Sequence, residues 1–247
     1  KFLGRFDPTM RITQEPKYRH RRNPVQAHVV DQPPEIRQKS IRRLRVGIHH
    51  SDFLDPNLGH APVGGVIPVP ECAIGQTGLL LPSTNRERQK IVHKWADGGG
   101  TYTPPGHWND IAEEYIRDAN MSEVRAARTF ALLNMALHDA AVGCWESKYF
   151  YFNPRPTQLD PSIKTGTGIP NFPSYTSGHS TFSGAAATIL SYLFPSGTTY
   201  FNQEANEASL SRLYGGIHYR IDTTNGLDHG NRIGGYTVLW AQGDGAN

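Results

Sequence analysis

Apolar residues at helical spacing are confined to the second part of the chain, from about residue 83 onward. Their recurrence every three or four positions predicts helices, because such residues share one helical face. We expect six helices, over about 83–95, 108–119, 120–145, 180–193, 202–213 and 218–241. No strand-like alternation stands out, so the sequence predicts a mainly α fold.

A few residues set the expected ends of these helices. Ser83 is expected to cap the first helix, and Asn120 to cap the third, with Glu123 in a capping box. The segment 104–106 (Pro-Pro-Gly) is expected to form a turn, and Pro195 to stop the fourth helix. The third helix is apolar on nearly all sides, which predicts a central place in the bundle. Its apolar residues are Val124, Phe130, Leu132, Leu133, Met135, Leu137 and Val142.

Residues 1–85 lack this periodicity and contain ten prolines. We therefore expect two parts, a largely irregular N-terminal arm over 1–85 and a helical bundle over 86–247. Residues 1–45 carry 12 Lys and Arg against 4 Asp and Glu, whereas the whole chain has a net charge of +3. Such a basic arm suits a solvated segment or one that wraps a neighbouring subunit, so we expect a homo-oligomer.

Several partners and settings are not expected. No nucleic-acid motif or aromatic interleaving accompanies the basic arm, so we expect no nucleic acid. No apolar run reaches membrane-spanning length, which predicts a soluble protein without membrane contact. The two cysteines form no disulfide or metal-thiolate pattern, and the start at Lys1 leaves export open.

The segment KYFYFNPRP (148–156) places two cations in a restricted backbone. Pro154 and Pro156 limit the chain around Arg155, and Lys148 lies seven residues earlier. Trp145 shares a helical face with Lys148 if the preceding helix continues. The two cations either converge on one anion or remain a snorkelling lysine and a surface arginine.

The segment from 171 to 195 changes from a loop to a helix at Ser177, Gly178 and His179. A helix start has unpaired N–H groups and a partial positive charge, which favour an oxyanion. Glycine permits close approach of a ligand, serine adds a hydroxyl, and histidine transfers protons near neutral pH. The alternative is an ordinary helix cap.

The segment SRLYGGIHYRID (211–222) contains the third cluster. Its glycine pair allows a bend that brings Arg212 and His218 to the same place. Asp222, four residues after His218, can accept the second ring N–H and fix the tautomer. A lone histidine is more often structural, but one with a carboxylate and an arginine nearby indicates chemistry.

Together the clusters read K-x6-R-P, S-G-H and S-R-x5-H-x3-D. This set resembles the three-part signature shared by the vanadium-dependent haloperoxidases and the type 2 phosphatidic acid phosphatase-like acid phosphatases. The resemblance covers about residues 86–247 and implies the helical bundle of that superfamily. It also implies a set of groups around the oxygens of vanadate or phosphate: Lys148, Arg155, Arg212, Ser177 and the N–H of Gly178.

The resemblance assigns the remaining roles as well. His218 would be the ligand of vanadium or, in a phosphatase, the nucleophile, and Asp222 would orient it. His179 would be the acid–base group. Asp97, in WADG, resembles an acidic residue that pairs with the second vanadate arginine in fungal chloroperoxidases. His107 and His138 are expected to be structural hydrogen-bonding groups.

Details around the signature favour a haloperoxidase of the chloroperoxidase type. Trp145 precedes the lysine by three residues, and Phe172 occupies the place where chloroperoxidases carry phenylalanine. The implied cofactor is vanadate, the reactants are hydrogen peroxide and halide, and a small organic molecule accepts the halogen. The alternatives are an acid phosphatase without cofactor, acting on phosphate groups, and a non-catalytic oxyanion-binding assembly protein. The family's haloperoxidases have two bundles, and this sequence matches about one.

Overall fold

The computed structural model describes residues 86–246. Within that range the chain forms seven α-helices and one short 3₁₀ helix, with no strand. The helices are α1 (Arg86–Lys94), α2 (Thr103–Asp118), α3 (Glu123–Tyr151), α4 (Pro156–Leu159), α5 (Gly178–Leu193), α6 (Thr198–Tyr214) and α7 (Arg220–Gln242). The 3₁₀ helix is Pro195–Gly197. This architecture confirms the predicted mainly α fold, and the expected arm over 1–85 lies outside the described residues.

The centre of the bundle is α5, which packs against α3, α6 and α7. Nearly every residue of α5 from Ser180 to Leu190 is buried. Small residues allow this close packing, since a methyl group at Gly230 of α7 would lie 2.1 Å from the carbonyl oxygen of Thr181. The start of α5 is therefore held deep in the protein.

The prediction that the third helix is central was wrong. Val124 and Val142 are 81% and 55% exposed, and Met135 is 38% exposed, whereas Leu132, Leu133 and Leu137 of the same helix are buried. A helix of 29 residues presents one face to α5 and another to solvent, so apolar residues on the second face stay outside. The abundance of small residues in α5 indicates the central helix better, because it permits contact on several sides.

Several helix boundaries differ from the predicted ones. The segment 104–106 is not a turn but the first turn of α2, where proline costs no hydrogen bond. Ser122, not Asn120, is the N-cap of α3, and Asn120 has φ 45°. The α3 helix also continues to Tyr151, so Lys148 lies in its last turn. None of the described helices is both long and apolar enough to cross a membrane.

Candidate functional site

The imidazole of His218 lies in the bend before α7 and is 3% exposed. Its Nε2 is 2.9 Å from Nη1 of Arg155, and its Nδ1 is 2.9 Å from Oδ2 of Asp222. Because a guanidinium only donates, Nε2 accepts and the ring proton is on Nδ1, which donates to Asp222. Burial and the neighbouring cation Arg155 lower the pKa of His218 well below its usual value. The ring is thus neutral, with a lone pair on Nε2.

Asp222 fixes this tautomer from the first turn of α7 and is fully buried. His218 precedes the helix, so the contact arises because Asp222 reaches back at the helix start, not from four-residue spacing within a helix. Oδ2 also accepts from Ser174 Oγ at 2.5 Å and from the backbone N–H of Tyr219 at 3.1 Å. Burial raises the pKa of Asp222 to about 6, against the opposing effect of these hydrogen bonds.

Lys148 is fully buried at the C-terminal end of α3. Its Nζ donates to the carbonyl oxygens of Pro173 and Ser174 at 3.0 and 3.1 Å, and to that of Thr176. The rings of Trp145 and Phe172 lie 5.8 and 5.1 Å from Nζ, measured to their centroids. Burial, together with the charge of Arg155, lowers the pKa of Lys148 to about 8.

Arg155 is 2% exposed and directs its guanidinium toward the same loop. Nε donates to the carbonyl oxygen of Phe172 at 3.1 Å, and Nη1 donates to that of Ile217 at 2.9 Å. Its backbone is extended at the start of α4, as the flanking prolines favour. Burial lowers the pKa of Arg155 to about 10, so it keeps its charge at neutral pH.

Arg212 enters from the last turn of α6 and is 2% exposed. Nε donates to Ser211 Oγ at 2.8 Å, and Nη2 donates to the carbonyl oxygen of Trp95. Burial lowers the pKa of Arg212 to about 10, whereas the charge of Asp97 acts in the opposite direction. The charge of Arg212 also lowers the pKa of His218 and of His179, so it belongs to the same electrostatic cluster.

The N-terminal end of α5 completes the cluster. Ser177 is the N-cap, and its Oγ accepts from the backbone N–H of Ser180 at 3.3 Å. Gly178 is the first helical residue, and a methyl group there would lie 3.7 Å from the ring of Trp145. The first N–H groups of a helix have no intrahelical acceptor, so they are suited to an anion.

His179, in the first turn of α5, has a buried Nε2 without a hydrogen-bond partner. That atom lies 3.8 Å from Oδ2 of Asp97. Burial and the charge of Arg212 lower the pKa of His179 well below its usual value. Asp97 itself does not bind Arg212 directly, because its carboxylate contacts Nδ1 of His107 at 3.1 and 3.3 Å.

Two residues near the site were missed by the sequence analysis, and one expected histidine lies away from it. Ser174, which the sequence did not indicate, connects the loop to Asp222, and its only signal was its place beside the S-G-H motif. Trp95 was likewise missed, since a backbone carbonyl has no sequence signature. His138 lies on the surface beside Asp139, with 76% of its side chain exposed.

The donor set fits a tetrahedral or trigonal-bipyramidal oxyanion. The site offers positive charge and N–H donors from three buried cations and a helix start, and the imidazole adds a lone pair that can bond the central atom of the anion. A divalent cation would instead need several oxygen ligands close together, most of them carboxylates. Over residues 86–246, no group of three or more His, Cys, Asp or Glu side chains is placed to hold a metal ion. The three cations bind backbone carbonyls, so an anion would replace some of these contacts. A surface pocket of about 290 Å³, lined by residues of α2 and α3 such as Asn109 and Phe130, lies apart from this cluster.

Fold and cluster together define an α-helical bundle protein with a buried cationic site around a histidine. Residues 128–245 match the family model of the PAP2 superfamily. The helical part of this chain is therefore similar to that superfamily.

One curated protein and two solved structures illustrate what the chain is similar to. A vanadium chloroperoxidase of Curvularia inaequalis is 31% identical over 122 residues, covering 37% of this chain and 20% of the relative. A structure titled as the first bacterial vanadium-dependent iodoperoxidase has a TM-score of 0.62 at 29% identity, covering 68% of this chain and 48% of the other. The LpxE structure of Aquifex aeolicus has a TM-score of 0.56 at 19% identity, covering 70% of this chain and 99% of the other. The chain therefore spans less than half of the length of the two haloperoxidases.

Proposed function

We propose that this protein is a vanadium-dependent haloperoxidase that oxidises a halide with hydrogen peroxide. The chloroperoxidase and the iodoperoxidase support this proposal, because both are about 30% identical to the chain over the matched parts. The similarity to LpxE, at 19% identity, supports the fold alone. The aromatic rings of Trp145 and Phe172 beside Lys148 fit the proposal as well, since they shield that cation from water.

The sequence identity to the two haloperoxidases favours halide oxidation, and the observation that carries the anion-bonding part of the proposal is the state of His218. Its Nδ1–H is held by Asp222 and its Nε2 lone pair faces Arg155, so one nitrogen is ready to bond an electrophilic centre. A carboxylate behind an imidazole increases the basicity of the free nitrogen. His218 would then bind the vanadium of vanadate through Nε2. The oxygens of vanadate would be held by five groups: Lys148, Arg155, Arg212, Ser177 and the N–H of Gly178.

When bound, vanadate supplies a Lewis-acidic centre that activates peroxide for attack by halide without changing its oxidation state. The three cations would neutralise the negative charge that the anion brings into the buried site. Each charge-assisted hydrogen bond contributes roughly 1.5–3 kcal/mol, so several together can retain a small oxyanion.

The proton-transfer role is assigned to His179. The low pKa of its imidazole, caused by burial and by Arg212, keeps the ring neutral while the site holds no anion. An anion close to the start of α5 would raise that pKa, because an opposite charge favours the imidazolium. His179 would therefore accept a proton from peroxide or return one to a leaving oxygen.

The second candidate is an acid phosphatase that uses His218 Nε2 as the nucleophile. The neutral ring with its proton on Nδ1 favours this reaction equally, since the lone pair on Nε2 is the attacking group. Here a phosphate group of the substrate would occupy the anion site, and no cofactor is needed.

One pair of assays on the purified protein separates the candidates. The haloperoxidase should halogenate monochlorodimedone with peroxide and bromide, or oxidise iodide, only after orthovanadate is added. The phosphatase should hydrolyse p-nitrophenyl phosphate in metal-free buffer and be inhibited by vanadate. Turnover of the phosphate ester without any halide oxidation would reject the first proposal.

The third alternative, a non-catalytic oxyanion-binding assembly protein, predicts neither activity. It predicts a large species in size-exclusion chromatography that dissociates when residues 1–45 are removed. The small organic acceptor and the homo-oligomer through the arm likewise stay predictions. Oligomerisation is tested by the same chromatography, and the acceptor by product analysis with candidate aromatic substrates.

A further inference from the structure

A line of three buried side chains runs from α2 to the start of α5. Nδ1 of His107 contacts both carboxylate oxygens of Asp97, at 3.3 and 3.1 Å. Oδ2 of Asp97 lies 3.8 Å from Nε2 of His179. That nitrogen is buried without a hydrogen-bond partner, which is unusual because buried polar atoms are nearly always satisfied. A small movement would bring the carboxylate and this nitrogen into contact.

The position of Asp97 depends on His107. Asp97 has φ 41°, in the left-handed region that aspartate adopts more readily than most residues, and its side chain is 4% exposed. The ring of His107 is itself fixed, since it stacks on Trp95 with centroids 4.1 Å apart and meets the edge of Tyr102 at 5.3 Å. A fixed ring can hold the carboxylate in one place, and without it the carboxylate can rotate toward solvent.

We propose that His107 is a positioning residue that acts through Asp97 on the acid–base group His179. His107 keeps a negative charge beside His179, so that the imidazolium formed after anion binding has an opposite charge next to it. The inference rests on the proposed acid–base role of His179.

The groups that surround His179 have opposing effects on its pKa. Arg212 from α6, Lys148 from α3 and His107 from α2 all disfavour its charged form. The carbonyl oxygen of Trp95 favours that form. Asp97 is the acidic side chain that faces His179 most closely, with Oδ2 3.8 Å from Nε2, so its negative charge acts on His179 only if the carboxylate stays in that place.

The key variant is His107→Phe, which retains an aromatic ring against Trp95 but removes the donor to Asp97. His107→Asn is the rescue variant, because its amide N–H can take the place of Nδ1–H. His138→Phe, at an exposed histidine of α3, is the control for the substitution itself. Circular dichroism of each variant confirms that the bundle is retained.

The first readout is the ring ¹⁵N NMR spectrum of the vanadate-free protein in inorganic phosphate, with His179 assigned by comparison with His179→Ala. Both His107→Phe and His107→Asn remove the charge of His107, and only His107→Asn keeps a donor to Asp97, so we expect His179 to protonate at lower pH in His107→Phe than in His107→Asn. In the vanadate-loaded enzyme, kcat should fall about tenfold, since part of the acid–base contribution is lost. The Kd for vanadate should change less than about threefold, because no anion-holding group is altered.

The variant Asp97→Asn provides the decisive cycle. If His107 acts through Asp97, then Asp97→Asn alone shifts the titration of His179, and in the Asp97→Asn background His107→Phe and His107→Asn give the same titration. Equal titrations of His179 in His107→Phe and His107→Asn, a difference between them that persists in the Asp97→Asn background, or an unchanged titration in Asp97→Asn would each overturn the proposal. Asp97→Asn also keeps the test decisive if His107→Phe fails to fold. A protein without halide oxidation that still shows the NMR shift would reject the proposed function and retain this inference.

Discussion

Arg155 and His218 are hydrogen-bonded to each other, with 2.9 Å between Nη1 and Nε2. The guanidinium therefore covers the same lone pair that the proposed anion would use. An arriving oxyanion has to displace this contact, and it can then accept hydrogen bonds from the released guanidinium. The two residues thus keep each other satisfied in a buried site, and the same contact orients both toward one point.

Substitution of the two histidines should separate binding from turnover. We expect His218→Ala to abolish vanadate binding in isothermal titration calorimetry, because the bonding nitrogen is lost. His179→Ala should bind vanadate as before and lose about 10²–10⁴-fold in turnover, the usual contribution of a general acid–base group. Full activity in His218→Ala would contradict both enzyme proposals, and His138→Ala is the matched control.

The hydroxyl of Ser174 should contribute measurably to stability. Its bond to the buried carboxylate of Asp222 is 2.5 Å long, and hydrogen bonds to charged groups contribute about 1.5–3 kcal/mol. We therefore expect Ser174→Ala to lower the free energy of unfolding in urea by roughly that amount.

Ser162 offers a matched control for this change. Its Oγ donates to Asp160 at 2.6 Å in an exposed place. Water replaces that bond easily, so Ser162→Ala should change the free energy of unfolding by less than about 0.5 kcal/mol. If Ser174→Ala and Ser162→Ala lowered the free energy of unfolding equally, burial would not be what strengthens the bond between Ser174 and Asp222.

Burial of Lys148 should make stability depend on pH. Its pKa falls from 10.5 to about 8 in the folded protein, chiefly through burial. Between these two values the unfolded chain binds more protons than the folded one, so this group makes the free energy of unfolding rise with pH. Below pH 8 the cost of the buried charge is fully present, and the rise amounts to roughly 3 kcal/mol.

Lys148→Met tests this linkage. The variant loses the hydrogen bonds to three carbonyl oxygens at every pH but has no group that titrates, so its stability relative to the unsubstituted protein should fall between about pH 7 and about pH 10. Urea unfolding of both proteins at the two pH values gives the difference directly. A constant difference between them would show that Lys148 does not lose its proton on burial.

Two glycines of α7 should respond in opposite ways to alanine. At Gly230 a methyl group would lie 2.1 Å from the Thr181 carbonyl oxygen and 2.9 Å from the Ala185 nitrogen. Backbone cannot yield easily, so Gly230→Ala should cost about 3 kcal/mol or more. At Gly235 a methyl group meets nothing within 4 Å, so Gly235→Ala should stabilise the helix by about 0.5–1 kcal/mol. Thermal unfolding distinguishes them, and similar melting temperatures would reject the α5–α7 packing.

Local patterns were sufficient for the fold class, whereas the choice of site residues stays a prediction. Helical periodicity predicted a mainly α protein, and the spacing of the three clusters selected Lys148, Arg155, Arg212 and His218 as groups around one anion. The structure places these side chains in one electrostatic cluster. Boundaries were less predictable, because Pro104 and Pro105 favour both a turn and the first turn of a helix. Helix α2 therefore begins earlier than expected.

Contacts between distant segments could not be derived from the pattern. The bond from Ser174 to Asp222 joins residues 48 positions apart, and the carbonyl of Trp95 reaches Arg212 across 117 positions. Asp97 was expected to pair with Arg212, but its carboxylate contacts His107 instead. The packing of α2 decides which of these partners is within reach.

The sequence by itself determined the mainly α fold and the order of the three clusters along the chain, because these depend on residues that are neighbours along the chain. Tertiary structure alone decided which helix is central, which carbonyls hold each cation and which nitrogen of His218 carries the proton. Those properties depend on burial and on groups brought together from separate segments, and neither is encoded in local spacing.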